Sequence, residues 1–564
     1  MIPGPFRVIA TKELSSDASS ITLSTDEFFS YIPSGSRHLV LMLNARASSG
    51  TPAVYLRFNN DSGSNYHYQF VGAVEDSGVP GAGASKSASV TTSATQIVVQ
   101  SQMHSTANLY SGGIIIIPEY ANTTNHKSTI SQTGNTSSSV ECVAGRWAST
   151  AAITRADFVI SSNNFVAGSV AMLAVMDETY MVDQEVRTTD GSVVLDVTGS
   201  VSDLTAVYYC RSNRTSYPAD SVRVLLSGDT TTGNYINHSY YGYKTSLYSW
   251  NYAPYMFQIP STTGTSNVFG AGVLLVQQAQ NGSYYPHVLG MGGYVVSSDS
   301  AVTFASMRKS NSISNVTSVE MAAEVGTAML AGSVASLYKL PRNRTHNITV
   351  SSGATSIPSG TITGGDKVIF PHFFARFQGY PYTATQWILL EPNSDTNDSN
   401  SPQIFIDYSG TTLSAYFQTG NRASINVADS GDSSVSNVYG GGTVFIPLYD
   451  KTDRHKHMLT FSASSCPKNS AGSGDNRLHI FSKRWTNTSA ITSFRGFANQ
   501  ASSGWSFVQN SKMQIEQCEV NPGPYVPVTT GNSGFFFRFL SIAAPTVGLA
   551  AASSYLSWLT NVSI

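Results

Sequence analysis

A chain of 564 residues is too long for one hydrophobic core and implies several domains. Only 12 % of its residues are charged, against roughly 25 % in an average soluble protein, and a formal net charge of −2 with scattered Lys and Arg leaves no basic face to neutralise phosphates, which excludes nucleic acid as a partner. A hydrophobic content of 41 % and an aromatic content of 11 % exclude a disordered chain, which lacks the apolar area to offset its ordering entropy.

The start, Met1 to Arg7, lacks the apolar run of a secretory leader, so none is expected. Short apolar or alternating runs at Ser20–Ser24, His38–Leu43 and Val54–Phe58 then read as strands, the last stopped by turn chemistry at Asn59–Asn65 before a strand from Tyr66 to Phe70. Ile114–Lys127 (IIIIPEYANTTNHK) is followed by Gly145–Thr154, which opens on Arg146-Trp147, and by Ser169–Val175; these last two segments read as the closing hairpin of a domain ending near Glu178. The same landmarks return. Val222–Leu226, the turn Ser227–Tyr235, Val273–Val276 running round to His287, and Gly332–Leu340 make a second copy. Trp387–Glu391, the enlarged turn 392–400, Thr443–Lys456 (TVFIPLYDKTDRHK) and Lys483–Thr492 make a third. Ile117 aligns without a gap on Ile446, Pro118 on Pro447, Tyr120 on Tyr449, His126 on His455 and Lys127 on Lys456.

Three landmarks in one order, at a period of about 165 residues, predict an array of one domain type. Strands of five to seven residues separated by Gly, Asn and Ser turns, with no 3.6-residue period, predict an all-β chain of three tandem antiparallel β-sandwiches of jelly-roll kind. Their expected spans are 1–178, 179–341 and 342–520, with an apolar C-terminal tail at 521–564. That tail holds Phe535, Phe536, Phe537, Phe539, Leu540, Tyr555, Leu556, Trp558 and Leu559 and is expected to form an assembly surface. Arg538 and Pro545 break it below the run of about 20 apolar residues that a membrane span needs, so no membrane is expected as a partner.

No nucleophile elbow, P-loop, dinucleotide fingerprint or zinc-protease motif occurs, and the expectation is a non-enzymatic protein without cofactor or bound metal. Glu119, Glu141 and Asp157 supply carboxylates of the kind a glycoside hydrolase needs, but Glu119 meets Leu448 in the third copy. The oxygen-rich turns around Asp61, Asp229 and Asp395 read as hydrogen-bonded turns rather than calcium loops, and His126-Lys127, His455-Lys456 and His457 as strand starts rather than zinc ligands. Cys142, Cys210, Cys466 and Cys518 lie far apart and read as reduced, mostly buried thiols. Trp147 and Trp485 recur at one position and read as packing residues. Ligand or partner contact is expected of the tyrosine-rich loops of the second copy, Tyr240, Tyr241, Tyr243, Tyr248, Trp250, Tyr252, Tyr284 and Tyr285, which combine Tyr, Ser, Gly and Asn as rigid yet adaptable binding loops do.

Phe58–Tyr66, the apolar strand with Pro118 and Tyr120–Thr124, and Arg146–Ile153 together resemble a domain recurring in virion proteins of tailed bacteriophages, notably cyanophages. The likeness is best in the first copy, partial in the third, in outline only in the second, and does not cover the tail. It implies a β-sandwich structural or adhesion module with no catalytic residues to carry over. The expectation is therefore a virion protein of the tail, baseplate or fibre apparatus that touches other virion proteins and host surface glycans as a homo-oligomer, a trimer being favoured. A capsid-decorating head protein and a polysaccharide-degrading tailspike are its rivals.

Overall fold

The computed structural model describes residues 4–520 apart from breaks, the longest being 76–83, 379–386, 430–438, 465–476 and 499–505; the expected tail surface, Phe535 to Leu559, lies outside the described residues. The described residues are β-strands joined by turns and three short 3-10 turns, with no α-helix among them.

The first repeat has twelve strands: β1 (Phe6–Glu13), β2 (Ser20–Leu23), β3 (Leu39–Ala45), β4 (Val54–Phe58), β5 (Tyr66–Glu75), β6 (Ala84–Ala94), β7 (Ile97–Gln100), β8 (Ser111–Ile117), β9 (Lys127–Asn135), β10 (Ser139–Trp147), β11 (Ala156–Ile160) and β12 (Val170–Met176). They form a large sheet, β1-β12-β3-β8-β9-β10-β5-β6, and a small one, β2-β11-β4-β7. First and last strands pair, second and eleventh pair, and the chain alternates between sheets as it winds inward, which is jelly-roll winding. Two insertions, β5-β6 after β4 and β9-β10 after β8, pair through β10 and β5 and extend the large sheet by four strands. The expected closing hairpin is thereby corrected: Gly145–Trp147 ends β10, which pairs with β9 and β5, whereas Val170–Val175 lies in β12, which pairs with β1 and β3.

The second repeat, from Met181–Val186 to Val334–Lys339, and the third, from Thr345–Thr349 to Lys512–Gln517, order their strands identically. The third adds the short strands Ala428–Asp429, Ser506–Phe507 and Glu519–Val520. Register agrees as well. Ile116 pairs Ile130 as Phe445 pairs Leu459, and Trp147 pairs Lys127 as Trp485 pairs Lys456.

Each sandwich encloses a core, such as Leu41, Leu56, Ile115, Trp147 and Phe158 in the first. A fourth core joins all three: the opposite faces of the large sheets bring Val40, Met42 and Ile114 together with Val207, Tyr240 and Phe304 and with Phe370, Phe445 and Phe461. Residues 1–523 accordingly form one compact unit rather than three beads on a string. Burying both faces of the large sheets explains why strands such as β8 and β12 are apolar without alternation.

The contacts between repeats run in one rotational sense. His126 N donates to Asn267 O of the second repeat (2.9 Å), and its counterpart His455 N donates to Asn108 O of the first (3.1 Å). His287 of the second repeat lies against Gly441 of the third, and its counterpart His457 lies against Gly112 of the first. Between first and second repeats Ser128 holds the matching strand position, its Oγ donating to Phe269 O, and Ala271 stands where the other copies have Gly112 and Gly441. Glycine therefore faces histidine at both seams where histidine holds this position. The ring closes where Glu519–Val520 lies parallel to β1, Arg7 opposite Glu519 and Val8 opposite Val520.

Candidate ligand-contact surface

Each repeat builds the same corner after the fourth strand of its sandwich. Asn59 and Asn60 have φ of 50° and 57°, Ser227 and Gly228 56° and 66°, Asn393 and Ser394 52° and 54°. Two successive left-handed residues make a type I′ turn, which Asn, Gly and Ser tolerate. The next residue is aspartate in every copy. Asp61 accepts from Gly63 N, Asn65 Nδ2 and Trp147 Nε1 (2.7 Å), and Asp395 accepts from Trp485 Nε1 (2.9 Å). In the second repeat Lys309 occupies the tryptophan position and its Nζ lies 2.8 Å from Asp229 Oδ2. These carboxylates serve N–H donors of their own turn and of the strand behind it. Trp147 and Trp485 pack in the sandwich cores.

Lys127 and Lys456 begin their strands and close the preceding loop: Lys127 Nζ donates to Asn125 O and Thr150 O, Lys456 Nζ to Arg454 O and Thr488 O. Burial lowers both ammonium groups to about 8. Glu119, Gln278 and Leu448 occupy one left-handed position at this corner, with φ of 51°, 59° and 50°. The three carboxylates singled out above are spread over different places. Glu119 grips Arg37 through both oxygens (2.6 and 2.8 Å). Asp157 in the small sheet binds Arg155 and Thr22, and buried Glu141 in β10 accepts from Ser101 N and Oγ. Burial raises the Glu141 carboxyl to about 7. No cluster of three or more His, Cys, Asp or Glu suited to a metal occurs among the described residues. Cys142, Cys210 and Cys518 are buried, and Cys466 lies outside the described residues.

The tyrosines divide between two faces. The hairpin Tyr235–Tyr243 and Ser246–Trp250 is the second-repeat counterpart of β5 and β6. Side chains alternate along it. Tyr240 points to the centre, fully buried and stacked on Phe304 at 6.2 Å, so the contact role expected of it is corrected to packing in the shared core. Tyr241 and Tyr243 take the other face. There Tyr241 stacks on its cross-strand partner Tyr248 at 5.3 Å, Tyr243 meets Tyr248 edge-on at 6.3 Å, and Lys244 Nζ lies 5.4 Å from the Tyr243 ring. Tyr248 is 46 % exposed. Sequence reasoning missed Tyr217, 57 % exposed with Arg214 over its ring, which neighbours Tyr243; the Tyr217-Pro218 loop carried no repeat signature to mark it. Burial, then Tyr248, raises the Tyr241 phenol; burial and the nearby Asp299 raise that of Tyr243. These phenols are neutral at pH 7 and present ring faces with polar tips.

Tyr285 is not part of this patch: it is half-buried beneath the Arg308 guanidinium, 5.4 Å from ring centre. Trp250 ends the second strand of the hairpin, opposite Ser239, its side chain lying outside the description, as do Tyr252 and Tyr284 entirely.

The fold defines the chain as a single-chain, threefold-like assembly of extended jelly rolls. No family model and no curated protein matches the sequence. Among solved structures it is compared with a botulinum neurotoxin type C structure described for cell entry dependent on two ganglioside molecules (7 % identity, 89 % of this chain and 93 % of that chain, TM-score 0.11). A second is the Pseudomonas aeruginosa OccD3 (OpdP) protein (8 % identity, 81 % and 95 %, TM-score 0.08). Scores this low carry no argument about fold or function.

Proposed function

We propose that the chain is a non-enzymatic structural protein of a bacteriophage virion, in the tail, baseplate or fibre apparatus, where one chain does the work of a trimer and the tyrosine patch of its second repeat contacts host surface carbohydrate. The observation that carries this reading is the core shared by three repeats. A threefold body made from one chain can meet a threefold or pseudo-threefold mount while presenting three different outer surfaces, so two can serve attachment to virion proteins and one recognition. Further copies would join through surfaces outside that centre. The patch supports carbohydrate because stacked, neutral aromatic rings with a neighbouring cation offer apolar faces and hydrogen bonds together at low entropic cost.

Cryo-EM of purified particles with antibody against the chain tests the placement. Density on the tail or baseplate is expected, and labelling of the head instead would favour the decoration reading. Binding to host envelope glycan that Tyr248→Ala weakens at unchanged stability is expected, whereas release of reducing sugar by the purified protein would overturn the non-enzymatic assignment.

A further inference from the structure

Arg146 is a buried cation without a counter-ion among the described residues. It lies in β10, directly opposite His67 of β5 and Ser128 of β9, on the face that meets the second repeat. The residue is 2 % exposed, its Nε and Nη1 are enclosed with no hydrogen-bond acceptor, and no carboxylate pairs with it among the described residues. The Nδ1 atoms of His67 and His126 are likewise enclosed and unpartnered. His126 is fixed by its main chain, which donates to Asn267 O and accepts from Tyr209 OH of the second repeat, and Ser128 Oγ is spent on Phe269 O. Burial, and then the Arg146 charge, lower both imidazoles to about 4, so each is neutral at pH 7 with one N–H to give. The place gathers donors and one positive charge.

An unpaired guanidinium in such a place is strongly destabilising, and natural proteins do not leave such charges uncompensated. Part of the arrangement recurs around a half-buried guanidinium. Arg484 holds the same register position in the third repeat, opposite His457, with His455 in the place of His126, and its Nε is again enclosed without an acceptor. In the second repeat Arg308 covers the Tyr285 ring instead.

We propose that Arg146, with His67 and His126, binds a small inorganic anion at the seam between first and second repeats, and that Arg484 with His455 forms a second such site. The ion class is a halide or a compact oxyanion such as phosphate, held by Arg Nε–H and Nη–H and by imidazole N–H. This goes beyond the proposed function and does not depend on it: a seam anion would lock neighbouring repeats whatever the particle.

Crystals of the full chain soaked in bromide give the direct test: an anomalous peak within hydrogen-bond reach of Arg146 Nε and Nη1 is expected. Calorimetric titration with chloride and with inorganic phosphate, at matched ionic strength, tells the two sources apart. The tighter of the two should lose about tenfold or more in affinity at the first site in Arg146→Met, a change of about 1.4 kcal/mol. No ordered anion at Arg146 in well-diffracting crystals soaked separately in bromide and in phosphate overturns the proposal, as does undiminished binding by Arg146→Met. The crystal measurement uses the unaltered protein, so it stands even where the variant fails to fold.

Discussion

Removing the turn aspartate should cost different amounts in the three repeats, because the donor behind it differs. Asp61→Ala strips the acceptor from the Trp147 indole N–H, which packs in the first core; leaving one buried neutral donor unpaired costs about 1–3 kcal/mol. Asp229→Ala strips the carboxylate from Lys309, whose side chain is 3 % exposed, and breaking a buried ion pair on one side costs about 3–5 kcal/mol. The remaining contacts cancel in the comparison, since Thr231 N and Asn234 Nδ2 at Asp229 mirror Gly63 N and Asn65 Nδ2 at Asp61. The gap is therefore about 2 kcal/mol. Thermal unfolding followed by calorimetry measures it, with Asp229→Ala/Lys309→Met as the control that removes the stranded charge and recovers most of the loss. Melting of Asp229→Ala together with Asp61→Ala, or no recovery in the double variant, would refute the reasoning. The pH dependence has a definite sign. Lys309 holds the Asp229 carboxyl below its ordinary 3.8, so the stabilisation is present above that value and fades as pH falls through the lower folded one.

Gly112→Ala would put a Cβ 2.8 Å from His457 Nδ1, and a destabilisation of about 1–3 kcal/mol is expected; His457→Ser should rescue it, since it removes the ring that the new Cβ would meet. Denaturant melts of the single and double variants check this. Tyr240→Ala is expected to cost about 3–5 kcal/mol by emptying a place in the shared core, while Tyr248→Ala on the outer face leaves the melting temperature nearly unchanged. Glu141, raised to about 7 in the folded chain, makes a contribution present below its ordinary 4.5 and lost as pH rises towards 7; Glu141→Gln should flatten that part of a stability-against-pH curve.

The repeat could be read in the sequence because its corners are chemically demanding. Asn, Asp and Trp recur where a left-handed turn must be closed by an acceptor, and the alignment of Ile117 on Ile446 matches the observed strand register. The shared centre was hidden because its seam is polar. β9, Lys-Ser-Thr-Ile-Ser-Gln-Thr-Gly-Asn, looks like a solvent-facing strand yet is buried throughout, its side chains meeting neighbouring backbone: Gln132 Nε2 donates to Thr460 O of the third repeat and Ser128 Oγ to Phe269 O of the second. Hydrogen-bonded Ser, Thr and Gln are cheap to bury once partnered, and composition cannot say that a partner waits in another repeat. For the same reason Tyr240 read as a binding residue, although alternation places it opposite Tyr241.

The strand Glu519–Val520 beside β1 sets a timetable for synthesis. β1 leaves the ribosome about five hundred residues before its outer neighbour is made; at about 5–20 residues per second the edge stays open for roughly half a minute to two minutes. An open edge is a template for pairing with another nascent chain. Arg7, Lys12 and Glu13 put charges on this strand, the device by which proteins discourage such pairing until the chain's own later strand arrives.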